Sequence, residues 1–499
     1  MTSAFAQLRA LLALRWQMVR TPGVRLSIVL AGIVTLWLLS VVARSSAALE
    51  PAALTAALAL APAAFLGFGV LAVAAPLSSG GGNELVPPDQ LVGFPVRPTT
   101  QFLGGLALAP LNLVWVVQLL ALTAETAYLT IGTSLLRGAL TTAAYVLCAT
   151  ALGQAVAWVV SGLRQTRGGR RTVGGLALLI AVTAVAVVRA GRGRDLLEHS
   201  PTRFVVTAIS RSTDTGRWAL TTGLLMALGA VGLLGGAHAC AWALRRPGDL
   251  GSLRHSRPVR RRPAPGSALR ALVCVDRASV WRAPALRRGG LVLLVLPGIA
   301  ASSAAVPWST LVVLPGLVAA GTGLLFGVNA FCLDASGAVW LASLPHPPAL
   351  VARAKTLVLT ETVLAAVTVA AVTGSLRSPG SPTAAELTAI VSSALACTAV
   401  VVAICLRSSV RRPHRADLGG PRDAVAPPGA LCFASVVLAV PAAAVGMVLE
   451  SASTTGYAWL APLLALPMIV GAVLVVKASL QRYDQPLVRS RVVQVVSAG

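Results

Sequence analysis

Side chains able to do chemistry are few in this sequence. Among 499 residues there are 16 Asp and Glu, five His and seven Cys, and their spacing decides which reactions are open. No GxxxxGK[ST] loop occurs, and neither lysine, Lys355 nor Lys477, follows a glycine-rich turn. The chain therefore lacks the cradle of backbone N–H groups that holds a nucleotide's phosphates. HExxH and GxSxG are missing, as is any tight His/Asp/Glu cluster, which removes the usual means of activating a water or a serine. Cys148, Cys240, Cys274, Cys332, Cys397, Cys405 and Cys432 form no CxxC pair and mostly lie within or at the ends of apolar segments. Free cysteine behaves there as a small hydrophobe, so neither a disulfide framework nor a zinc site is implied. No catalytic, metal-ligating or cofactor-binding residue is expected, and the chain does not read as an enzyme.

Glu361, in Thr360-Glu361-Thr362, stands about ten residues into an apolar run at 351–373. If that run crosses a bilayer, a carboxylate so deep costs about 2.5–3.5 kcal/mol, and it should face the protein interior or a cavity. Glu361 then either packs helices, protonated or hydrogen-bonded, or makes a polar contact on a translocation path. His238, in an earlier apolar run, is a candidate partner on that path. Glu125 lies nearer a segment boundary and reads as a residue reaching water.

The elements that would carry these residues follow from composition. The chain is 56% hydrophobic and 11% charged, with mean hydropathy +0.80, against about 25% charged residues in soluble domains. Apolar windows of spanning length, roughly 20 residues each, fall at 24–43, 52–77, 102–128, 138–161, 173–189 and 218–244. A second series falls at 289–307, 309–332, 351–373, 386–406, 430–449 and 456–476. The expected fold is thus all-α, a polytopic integral membrane protein of about 12 transmembrane helices in two repeated six-helix halves. The first window, from Val24 to Ala43, is longer than the roughly 7–15 residues of a signal-peptide core, and reads as an uncleaved first helix.

A net charge of +25 raises the possibility of nucleic-acid binding, but the arginines cluster between apolar segments without interleaved aromatics, so no nucleic acid is expected. Placing the N-terminus inside puts 32 of the 41 basic residues on cytoplasmic segments, the asymmetry that orients membrane proteins. Both termini are then cytoplasmic. The stretch Gly191–Arg217 lies outside despite its arginines.

The halves are expected at 1–244 and 268–499, joined by a basic, Pro-rich cytoplasmic linker at 245–267. Leu8-Arg9-Ala10-Leu11 recurs as Leu269-Arg270-Ala271-Leu272, and Phe94-Pro95-Val96-Arg97-Pro98 as Leu344-Pro345-His346-Pro347-Pro348, in the same order and at equivalent places. Before the first crossing of each half, an amphipathic segment reads as a helix lying in the cytoplasmic interface. Phe5, Leu8, Leu12 and Val19 line one face of the first segment. The second, 268–283, carries Trp281 as a potential interfacial anchor.

An amphipathic helix, six crossings and a Pro-containing cytoplasmic loop after the second crossing, all repeated, resemble ABC-2-type exporter permeases of the large actinobacterial kind with two fused halves. The loops Asp89-Gln90-Leu91-Val92-Gly93-Phe94-Pro95 and Ala338-Val339-Trp340-Leu341-Ala342-Ser343-Leu344-Pro345 are similar to that family's apolar run into Leu/Phe-Pro. Asn329-Ala330-Phe331-Cys332-Leu333-Asp334 resembles its Asn-x-Phe stretch. The Gly-rich stretch Ser78–Gly82 departs from the pattern. The resemblance implies a permease in the cell membrane whose energy comes from separate cytoplasmic P-loop ATPase subunits, with an unknown substrate. Glu84, Asp89, Phe94 and Pro95 in one loop, and Asp334, Trp340 and Pro345 in the other, would dock them. Three other readings remain open: loops that are connectors or lipid anchors, a secondary carrier, and a membrane-embedded enzyme or assembly factor.

Overall fold

The computed structural model describes residues 6–10, 13, 51–78, 96–109, 113–130, 133–166, 168–190, 192, 199–245, 266–303, 305–325, 327–415, 426 and 428–497. Helices account for most of them, joined by turns, bends and short irregular connections, with no strand among the described residues. Seven helical segments are long and apolar enough to cross a membrane: Leu135–Arg164, Thr215–Leu244, Trp308–Asp334, Pro348–Ser375, Ala384–Arg411, Phe433–Thr454 and Leu460–Asp484. An all-α membrane protein is therefore what these residues build. The chain divides into two compact units, Met1–Arg257 and Pro258–Gly499.

In the first unit the helices are α1 (Pro51–Ser78), α2 (Pro98–Leu108), α3 (Leu113–Leu129), α4 (Leu135–Arg164), α5 (Gly169–Arg189), α6 (Pro201–Ser210) and α7 (Thr215–Leu244). Helix α4 is the hub, packed along α7 and against α1 and α3. Small residues permit the close approach that membrane helices use in place of hydrophobic driving force. A Cβ at Gly232 of α7 would meet Leu152 of α4 at 3.1 Å. The aromatic centre is Phe65 against Tyr145, ring centroids 5.1 Å apart and edge to face, with the Tyr145 hydroxyl donating to the Phe65 carbonyl at 2.6 Å.

Two features of this unit were not part of the sequence expectation. The window at 102–128 is covered by two described helices, α2, which ends at Leu108, and α3, which starts at Leu113. The expected outer stretch Gly191–Arg217 contains α6, whose Val205, Val206 and Ile209 are buried. The first window, 24–43, lies outside the described residues.

In the second unit the helices are α8 (Ala268–Arg282), α9 (Pro284–Ser303), the short α10 (Trp308–Leu311), α11 (Leu314–Leu325), α12 (Gly337–Ser343), α13 (Pro348–Ser375), α14 (Ala384–Arg411), α15 (Pro428–Thr454), α16 (Leu460–Asp484) and α17 (Pro486–Ser497), with a 3-10 segment at Gly327–Asp334. All six windows of the second series are helical, with ends within about five residues of expectation except that α16 runs eight residues past its window, and the second window is made of three pieces. Helix α14 starts at a capping box between Thr383 and Glu386 and packs against α16, α15, α13 and α11. Its buried stripe Ser393, Cys397, Val401, Cys405 and Ser409 repeats every fourth residue, one line along a helix. That stripe meets glycines: a Cβ at Gly323 would lie 2.7 Å from Val401, and one at Gly327 would lie 2.8 Å from Cys405 Sγ.

Candidate functional site

Three enclosed charged side chains of the second unit, Asp276, Asp334 and Lys355, gather where α8, the 3-10 segment and α13 meet. Helix α8 begins at Ser267, whose side chain accepts from Arg270 N at 3.2 Å. It turns Val273, Asp276 and Val280 inward and leaves Cys274, Val275, Arg277 and Trp281 exposed. The 3-10 segment exists because the helix is broken at Asn329, whose backbone is non-helical (φ −137°, ψ 61°). The break is held by side chains. Asn329 Nδ2 donates to the His414 carbonyl at 2.7 Å, and Ala330 N donates to Ser409 Oγ at 2.9 Å. Ser409 Oγ in turn donates to the Gly327 carbonyl at 3.0 Å. Burial, with the Arg412 charge adding to it, pushes the His414 imidazole below its usual range.

This broken helix end delivers Asp334 to Lys355 on α13. Lys355 Nζ donates to Asp334 Oδ1 and to Asp276 Oδ1, both at 2.6 Å. The side chains are almost sealed from solvent, at 3% for Lys355, 8% for Asp276 and 14% for Asp334. An ammonium taken out of water is tolerated only when paired and hydrogen-bonded, and two carboxylates meet that need. They carry one negative charge in excess. Burial pushes the Asp276 carboxyl up, Lys355 opposes that push, and the Asp334 charge reinforces it. One lysine thus ties α8, the 3-10 segment that ends the apolar stretch Trp308–Asp334, and the start of α13.

Beyond the cluster, Arg277 grips Glu361 in a bidentate pair, Nε to Oε2 at 2.7 Å and Nη2 to Oε1 at 2.5 Å. The Glu361 side chain is 44% exposed on the surface of the second unit, with a partner the sequence reading did not weigh.

After Asp334 the chain passes through Ala335 at φ 43° into the loop helix α12. Ala338 is buried and Leu341 half-buried against α17, in a cluster with Phe331, Tyr483, Val492 and Val496. The Phe331 and Tyr483 rings stack with centroids 4.8 Å apart. A cavity of about 180 Å³ lies there, bordered by Phe331, Asp334, Leu341, His346, Tyr483 and Arg489. Val339 and Trp340 point the other way, Trp340 at 67% exposed, and Pro345 is exposed.

The remaining expected site residues fall elsewhere. Glu84, Asp89, Phe94 and Pro95 lie outside the described residues. His238 belongs to the first unit, exposed, with Nδ1 2.8 Å from the Leu234 carbonyl. Glu125 does not simply reach water: its Oε1 is buried without a hydrogen-bond partner among the described residues. Sequence reading missed Lys355, Asp276 and Arg277. The usable signal was that Lys355 is one of only two lysines and stands at the mouth of an apolar run. Among the described residues no group of three or more His, Cys, Asp or Glu is placed to hold a metal ion.

Fold and site together define an all-helical membrane protein with a buried charge cluster at one end of its second unit. In comparisons with known proteins, no family model matches the chain, and no curated protein or solved structure matches it significantly.

Proposed function

We propose that this chain is the membrane permease of an ATP-driven exporter of the ABC type, with its ATPase supplied by separate cytoplasmic subunits. In this reading the chain crosses the cell membrane twelve times in two fused halves, with both termini in the cytoplasm. The observation that carries the reading is the construction of the loop helix α12. One face is packed on α17, while Val339 and Trp340 are left outward, the arrangement by which a short helix seats in a partner's groove. The loop is also rooted in the charge cluster, because Asp334 at its start holds Lys355 of α13. A push on α12 therefore reaches the second crossing, the third crossing and α8 at once, which suits alternation between two packings.

A parallel in the first unit supports a two-half design. There the N-terminal segment reaches the start of α2, with the Thr100 hydroxyl donating to Gln7 Oε1 at 3.0 Å. In the second unit α8 reaches the start of α13 through Asp276 and Lys355. In both, the amphipathic segment before the first crossing fastens to the helix that follows the Pro-containing loop. The substrate is not named by any residue.

The test is the double variant Phe94→Asp, Trp340→Asp. It should lose co-purifying ATPase while the permease still inserts and melts at its usual temperature. Full retention of an ATPase by the double variant would leave the loops as connectors or lipid anchors.

A further inference from the structure

The exposed faces of the second unit's crossings are of two kinds. On α15 the exposed side chains include Phe433, Val436, Val440 and Met447, and on α16 Leu463, Leu466, Val470 and Leu474. These are large and apolar, as lipid requires. Helix α13 differs. Its exposed stripe runs Arg353, Leu357, Glu361, Ala365, Thr368 and Val372, stepping by three or four residues along one side. It carries two charges and a hydroxyl.

The ion pair on this stripe fixes the argument. Arg277 and Glu361 are about half exposed, at 53% and 44%, and Glu361 stands six residues past Lys355, about 9 Å farther along the helix. Among the described residues of the second unit, the pair is left about half uncovered. Lipid would leave its outer edge without hydrogen-bond partners, and ionised groups in membrane helices accordingly turn toward protein or water. Helix α13 has 28 residues and is about 42 Å long, against a hydrocarbon core of about 30 Å. Its first turns can therefore project into the cytoplasm, but Ala365 and Thr368, one and two turns beyond Glu361, lie within the core.

We infer that the face of α13 bearing Arg353, Leu357, Glu361, Ala365 and Thr368 lines a water-filled path in the second unit and does not face lipid. The permease reading enters only in what would move along it: a solute with an ionised group, able to pair with Arg277 or Glu361 in exchange for the other. The wetting of the face stands on the ion pair and the contrast with α15 and α16.

A membrane-impermeant, charged thiol reagent tests this, applied to inverted membrane vesicles in a background with every native cysteine replaced. Single cysteines are placed at Ala365 and Thr368 on the stripe, at Val440 and Val470 on the apolar faces, and at Ser343 in the exposed loop. Labelling at Ala365→Cys and Thr368→Cys should be within about tenfold of Ser343→Cys and roughly 100-fold faster than Val470→Cys, the ratio given by about 2.7 kcal/mol for a charge in hydrocarbon. Rates at both stripe positions as slow as at Val440 and Val470 would overturn the inference, whether lipid or protein covers the face. Two stripe positions guard against one variant failing to fold. The labelling needs no ATPase, so it can fail or succeed apart from the exporter reading.

Discussion

Removing Lys355 should injure the protein more than removing the whole charge cluster. In Lys355→Met the Asp276 and Asp334 carboxylates keep their places, each with an oxygen that had lain 2.6 Å from the same nitrogen. Those two oxygens are then no more than about 5 Å apart, and at an effective dielectric near 20 they repel by about 3 kcal/mol. That agrees with the roughly 3–5 kcal/mol lost when one member of a buried ion pair is removed. For a unit of this size each kcal/mol lowers the melting temperature by about 2–4 °C, so a drop on the order of 10 °C is expected near pH 7. The triple variant Asp276→Asn, Lys355→Met, Asp334→Asn carries no buried charge and should recover most of that loss.

The pH dependence has a definite sign. In Lys355→Met one carboxyl, most readily Asp276 because burial already pushes it up, binds a proton more tightly folded than unfolded. The deficit is therefore full at neutral pH and shrinks as pH falls toward the ordinary carboxylate range. Thermal unfolding in detergent, followed at pH 7 and pH 5.5, is the assay. A Lys355→Met variant that melts with the parent at pH 7, or a triple variant that melts below Lys355→Met, would refute the account of the cluster.

Three further outcomes follow from local geometry. Gly327→Ala should cost about 1–3 kcal/mol by overpacking, because its Cβ would lie 2.8 Å from Cys405 Sγ and 3.0 Å from Leu359; adding Cys405→Ala should return part of that cost, and strict additivity in the double-mutant cycle would contradict the contact. Ala335, at φ 43°, should be stabilised by about 0.5–1 kcal/mol on change to Gly, read as a raised melting temperature. Single cysteines at the exposed Thr213 and Ser343 should label from outside and inside intact cells respectively, and the reverse pattern would invert the topology.

How much could be read in advance depends on the range of the interactions involved. The apolar helices of the second unit were legible because each is a local property, a run of apolar residues of the right length, and α13 begins and ends within three residues of its window. The end of α2 at Leu108 was not legible, because nothing in the run from Gln101 to Leu108 stops a helix and proline beyond it is tolerated in membrane helices. Helix α6 was hidden among the arginines of the stretch around it, though Thr202, Val205, Val206 and Ile209 carry the helical period. The site itself was the least legible part. Asp334 was singled out as a docking residue and Glu361 for its depth in an apolar run, but their partners are Lys355, which also holds Asp276, and Arg277. The hydrogen bond from Lys355 to Asp276 spans 79 residues, and no local pattern in an Ala/Leu-rich chain encodes such a pairing. The folding of α17 against α12 was missed for the same reason, since Val492 and Val496 show their use only once Leu341 and Tyr483 are beside them.

The central claim is that the chain moves a solute with energy it does not itself release. The most direct measurement is to isolate it from its native membranes under conditions that preserve complexes, and to identify what accompanies it in fixed ratio. The account predicts a cytoplasmic subunit carrying GxxxxGK[ST], with ATP hydrolysis in the purified complex. A chain that purifies without such a subunit, and that alone in proteoliposomes drives uptake from an ion gradient, would contradict it.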